Sequence, residues 1–213
     1  MARRNTRELI LSTSLALFNE FGEPAVTTNH IADEADISPG NLYYHFNSKQ
    51  DIIIELFKRF ITQLDPVIDV PDAGSLDAED LWFHLHLSFE LKGHYRFFFR
   101  NLADITDRIP NLERAFRALF RRERQAAAQV VAGLERRGAL TIGDTERLLL
   151  LDNMMLALTY WIPFADLFDE GGLKDGRAQT RAIAGVLQLV MPYLRQPEHD
   201  EFGALVRTYL AHS

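Results

Sequence analysis

Twenty consecutive residues, Thr27 to Phe46, constrain this chain more than any other stretch. A short helix is predicted to open at Thr27 or Thr28 and to carry Ile31, Ala32 and Ala35. After a tight turn, Ser38-Pro39 starts a second helix that runs to about Tyr44. Serine caps free amides, and proline is tolerated at the first helical position. Ile31, Ala35, Ile37, Leu42 and Phe46 can point inward together, and the small Ala32 and Ala35 let two helices cross closely. Gly40, Asn41, Tyr43, Tyr44 and His45 are left outside. They offer donors, acceptors and flat rings, a set suited to phosphates and base edges.

Helical periodicity extends over the rest of the chain, and alternating strand patterns are missing. A first helix is expected from about Thr6 to Gly22, with Ile10, Leu17, Phe18 and Phe21 at helical spacing and Gly22 as its stop. A fourth opens at Ser48, with Asp51 three residues on as a capping-box partner. Asp65 to Gly74 holds two prolines and a glycine and is predicted to connect two domains. Long helices should follow at about Asp77–Leu102, Pro110–Arg137, Asp144–Phe168 and Arg177–Leu194. A turn is expected at Asp104–Arg108, and a last helix within Glu201–Ala211. Pro163 should kink or end its helix. The fold class is therefore all-α. Residues 1–48 are expected to form a three-helix helix-turn-helix domain, 49–64 a connecting helix, and 65–213 a second, larger helical domain.

Two bulk properties limit the chemistry. Cysteine is absent, which excludes disulfides and thiolate catalysis. The net charge is −7, so bulk attraction cannot hold nucleic acid. Cations must be grouped instead, and Arg3, Arg4, Arg7 and Lys49 are expected to share a face with the acids turned away. The amphipathic Leu9–Phe21 does not read as a leader peptide. The apolar Leu148–Phe168 is interrupted by Asp152, Asn153 and Asp166 and is expected to be a buried helix rather than a membrane span. A cytoplasmic location is expected.

The order Thr27 or Thr28, Ile31-Ala32, Ala35, Ile37, Ser38, Gly40, Leu42, Tyr43, His45-Phe46 and Lys49 resembles the DNA-binding domain of TetR-family transcription regulators. The resemblance implies roles by position. Thr28 would bond a phosphate, and Ser38 and the Gly40 backbone would approach the duplex. Asn41, Tyr43, Tyr44 and His45 would anchor phosphates or touch bases. Lys49 would add charge at a helix amino end. Asp36 stands where the family usually has glycine, and aspartate tolerates left-handed geometry better than most residues. Pro39 replaces a base-reading or basic side chain of some relatives. A narrower similarity, in residues 37–46, 94–102 and 108–112, is to the PhaD-type regulators of polyhydroxyalkanoate gene clusters, which implies a fatty-acyl-like effector.

The second domain is rich in aromatics, among them Tyr95, Phe97, Phe98 and Phe99. Two stripes mix polar groups into apolar faces: Trp82, His86 and Phe89, and Asn153, Ala157, Tyr160 and Phe164. With Phe116, Phe120 and Trp161 they are candidate linings of a mostly apolar effector pocket; a neighbouring helix could equally partner the polar groups. Ala178, Ala182, Gly185 and Leu189 put small residues on one face and are the candidate dimer contacts. A two-fold dimer would read a palindromic operator on double-stranded DNA. Arg114, Arg117, Arg121, Arg122 and Arg124, with Glu113 and Glu123 interspersed, read as a solvated helix face. His84 and His86 point to different sides, so no metal site is expected, nor any cofactor. No catalytic constellation is present. The expectation is a ligand-released repressor that is not an enzyme; the alternatives are an activator of a neighbouring metabolic gene cluster and a helical protein-binding adaptor.

Overall fold

The computed structural model describes residues 6–69, 78–168 and 171–211. Arg3 and Arg4, and residues 70–74 of the expected 65–74 connection, lie outside them. Every regular element among the described residues is helical. The chain divides into two compact units. Unit 1 gathers residues 1–63 with 95–114, and unit 2 gathers 64–94 with 115–213. No single cut along the sequence separates them.

In unit 1, α1 (Thr6–Phe21) stops at Gly22, whose φ of 82° is in the left-handed region. The helices α2 (Thr28–Glu34) and α3 (Pro39–His45) are capped by side chains. Thr27 Oγ1 accepts from the His30 amide at 3.1 Å, and Ser38 Oγ from the Asn41 amide at 3.1 Å. Each cap satisfies a donor that the first helical turn leaves unpaired. Between them Asp36 turns the chain at φ 53°, the only left-handed residue other than glycine among the described residues. Next comes α4 (Lys49–Ile68), with the Asp51 amide donating to Ser48 Oγ at 3.2 Å. It continues through Asp65 and Pro66, beyond the predicted start of the connection.

The expected helix Asp77–Leu102 is instead broken at Tyr95 into α5 (Ala78–His94) and α6 (Arg96–Arg100). The expected turn at 104–108 is a helix, α7 (Leu102–Arg108), with Ile105 buried. Both α6 and α7 belong to unit 1. Phe97 packs on Phe18 with ring centroids 5.2 Å apart, Phe98 on Phe57 at 5.6 Å, and Tyr95 on Phe60 at 5.4 Å. These aromatics, read from sequence as part of the second domain, close the core under the helix-turn-helix. Burying each such ring contributes about 1.5–3 kcal/mol, which explains why a segment so distant in sequence is held there.

Unit 2 contains most of α8 (Pro110–Arg136) and all of α9 (Asp144–Phe168), α10 (Gly172–Asp175), α11 (Arg177–Val190) and α12 (Glu198–Ala211). α11 packs against α9, α12 and α5. It ends earlier than expected, at Val190, where Met191-Pro192-Tyr193 form a 3₁₀ turn. α9 runs through Pro163 without ending. This helix is long and apolar enough to cross a bilayer, and eight of its residues are buried in the unit 2 core. Glu123, expected on a solvated face, is instead buried.

Candidate nucleic-acid interface and effector domain

The outer face of α3 begins at the Ser38 cap and Pro39. Asn41, Tyr43 and Tyr44 are exposed, Tyr44 by 84%. Burial elsewhere does not account for so large an exposed ring. Tyr44 stands perpendicular to the His45 ring, 5.1 Å between centroids, and His45 is half-buried. The Tyr43 hydroxyl lies 2.9 Å from Thr28 Oγ1, so the start of α2 and the middle of α3 present one joined pair of hydroxyls. A Cβ at Gly40 would meet nothing nearer than Ser38 Oγ at 3.9 Å. The protein's own packing therefore does not require glycine there; only the close approach of an outside surface would.

The expected grouping of cations differs in the structure. Lys49 Nζ donates to the main-chain carbonyls of Glu23 and Val26, both at 2.9 Å, and stands 2.8 Å from Glu23 Oε1. Glu23 is fully buried, and its other oxygen accepts from Arg108 of α7. Lys49 thus ties the turn before α2 to the start of α4. Arg7 pairs with Glu55 at 2.8 Å and covers the Phe46 ring, its guanidinium 5.2 Å from the centroid. Arg59 pairs with Glu8 at 2.5 Å. The hydrogen bond from Arg7 holds Glu55 below the ordinary carboxylate range, and that from Arg59 does the same for Glu8. The acids turn onto the cations instead of away from them, and for the buried Glu23 this pairing avoids the cost of a bare charge in the core.

In unit 2 the first polar-aromatic stripe has its partner. Tyr209 of α12 accepts from Trp82 Nε1 at 2.7 Å and bonds His86 Nδ1 at 2.8 Å. Burial raises the Tyr209 pKa. Phe89 is fully buried against Trp161, 5.7 Å between centroids. Phe116 is buried, with Phe120 beside it at 5.8 Å. The second stripe faces out: Asn153, Tyr160 and Phe164 are exposed. Tyr160 and Trp161 line a groove of about 370 Å³ together with Ala178, Ala182 and Gly185 of α11. Leu189 is half-buried on the same helix. Residues assigned by sequence to an effector pocket and to a dimer contact therefore fall on one surface. Its rim continues along α9 through the exposed Leu149, Leu156, Leu167 and Phe168.

Sequence reasoning missed an ion pair inside unit 2. Lys92 of α5 is fully buried, with Nζ 2.7 Å from Glu123 Oε1 of α8 and donating to the Leu158 carbonyl at 3.2 Å. A signal was present. On α8, Glu123 continues the stripe Phe116, Leu119, Val130 and Leu134, all buried. On α5, Lys92 follows Leu81, Leu85 and Phe89 at the same helical spacing.

The family models divide the chain along the sequence rather than by compact unit. Residues 10–56 match the model "Bacterial regulatory proteins, tetR family", and residues 59–202 match "TetR: Bacterial transcriptional repressor". A TetR-family transcriptional regulator of Marinobacter aquaeolei VT8 superimposes with a TM-score of 0.86 at 36% identity, over 96% of this chain and 98% of that one. The HTH-type transcriptional repressor KstR2 of Mycobacterium tuberculosis is 36% identical over 87 residues, 40% of this chain. The match spans 44% of that curated relative, under half its length. The structure of the ketosteroid transcriptional regulator KstR2 shares the fold at a TM-score of 0.62 and 20% identity, over 91% of this chain and 97% of that one.

Proposed function

The chain belongs to the TetR family of bacterial regulators, and from that premise we propose that it is a DNA-binding repressor released from its operator by a small, largely apolar effector. The observation that carries the reading is the outer face of α3. It presents Asn41, Tyr43 and an almost uncovered Tyr44 beside a glycine that the fold itself does not need. Thr28 and Tyr43, linked through their hydroxyls, would take one phosphate between them. Ser38 and the Gly40 backbone would approach the duplex, and Asn41, Tyr44 and His45 would touch bases or neighbouring phosphates. Lys49 is a positioning residue: it holds α4 against the turn that carries α2. The reading part, residues 1–48, would be carried on the connecting helix 49–64, with 65–213 taking effector and partner, and residues 95–114 packing under the reader.

The exposed apolar face of α9, with Ala178, Ala182, Gly185 and Leu189 of α11, supports self-association. Patches of this kind mark interaction surfaces, and a two-fold pairing would set two reading helices on a palindrome. The protein would act in the cytoplasm. Effector control requires unequal affinity for the DNA-competent and released states. A covalent route exists, because the segment 95–114 that packs unit 1 joins α5 directly to α8. The stretch similar to PhaD-type regulators supplies Phe97, Phe98 and Phe99 to the unit 1 core. That part of the likeness lies on core side chains, so it does not by itself argue for an acyl ligand.

The test is a gel shift with Tyr44→Ala. Operator affinity should fall at least about tenfold, the loss of roughly 1.4 kcal/mol, with an unchanged melting temperature. Unaltered affinity would remove α3 from the interface.

A further inference from the structure

A cavity of about 50 Å³ lies within unit 2, between the end of α4, α5, α8 and α9. Its wall is mostly apolar, including Ile68, Leu85, Val130 and Leu158, with three polar residues: His84, Ser88 and Glu123. His84 Nδ1 is engaged with the Val67 carbonyl at 2.8 Å. Glu123 is 6% exposed; Oε1 faces Lys92, and Oε2 is buried without a hydrogen-bond partner among the described residues. A buried acceptor left in this state costs free energy until a donor reaches it.

We infer that this cavity receives the polar head of the effector, and that the head is a neutral hydrogen-bond donor, a hydroxyl on an otherwise apolar molecule. The inference rests on the effector-controlled reading above and names the ligand class. Charge excludes the other heads. Lys92 already balances Glu123, so an ammonium would add an uncompensated charge among apolar side chains. A carboxylate would set its oxygens against Oε2 with no proton between them. A hydroxyl donates to Oε2 and can accept from Ser88. Size agrees: an apolar cavity of about 150 Å³ admits benzene, so one of this volume takes a head and its first carbons, not a ring.

Isothermal titration of the full chain with 1-hexanol and with hexanoate tests the assignment. Hexanol should bind at least ten times more tightly than hexanoate. Two variants locate it. Ala127→Leu fills the cavity wall and should abolish hexanol binding. The double variant Lys92→Met with Glu123→Leu removes both charges together, a replacement that is often neutral or stabilising, and should lose the preference for alcohol. Absence of binding to the unaltered chain would mean that the cavity holds water only and would overturn the inference. Equal binding of hexanoate, or hexanol binding untouched by both variants, would overturn it too. Hexanol that binds as expected yet leaves the operator complex intact would sustain the site and defeat the effector-release reading.

Discussion

Lys92→Ala should destabilise unit 2 by about 3–5 kcal/mol, the usual cost of stranding one half of a buried ion pair. The loss is large because Glu123 would be left buried in an apolar wall without its partner. Both tryptophans, Trp82 and Trp161, lie in unit 2. Urea unfolding followed by their fluorescence therefore reports this unit directly. At a urea dependence of about 1–3 kcal/mol per molar, the midpoint should fall by about 1 M or more. Lys92→Met with Glu123→Leu should recover most of that loss, since apolar replacement of a whole buried pair is often neutral or stabilising. A single alanine variant as stable as the unaltered chain would show that the pair contributes nothing.

The second large effect belongs to Lys49. Lys49→Ala removes two hydrogen bonds to main-chain carbonyls and one of the two partners of a fully buried carboxylate. Arg108 would still face Glu23, so the expected cost is about 3 kcal/mol, at the low end for a broken buried pair. Hydrogen exchange should lose protection from Glu23 to Ile31, and operator binding should disappear with it. A lysine that served only to touch a phosphate would give the second result without the first. Unchanged exchange with lost binding would return Lys49 to the interface.

The contrast between these two lysines shows what could be read from residues alone. The helix-turn-helix was legible because its determinants are local. Thr27 and Ser38 cap within three residues, Asp36 turns a single peptide, and the apolar spacing fits short helices. Gly22 as a stop and Ser48 as a cap are equally local. What escaped depends on partners far along the chain. Tyr95 interrupts a helical pattern that its own neighbours would continue, because Phe97 and Phe98 are drawn onto Phe18 and Phe57. The partner of Trp82 and His86 is Tyr209, more than a hundred residues later, which their own helix does not announce. Charge misled most. Arg7 and Lys49 looked available, and Glu123 looked solvated, since sequence gives the sign of a group but not which opposite charge folds onto it.

The central claim is that a paired chain reads a specific palindrome through the face of α3. Selection of bound DNA from a random pool by the full-length protein tests it most directly. The account predicts enrichment of a two-fold symmetric site, with half-sites about one helical turn, roughly 34–36 Å, apart, and loss of that enrichment in Tyr44→Ala. A pool that stays random after repeated selection, or an enriched site without symmetry that Tyr44→Ala still selects, would contradict it.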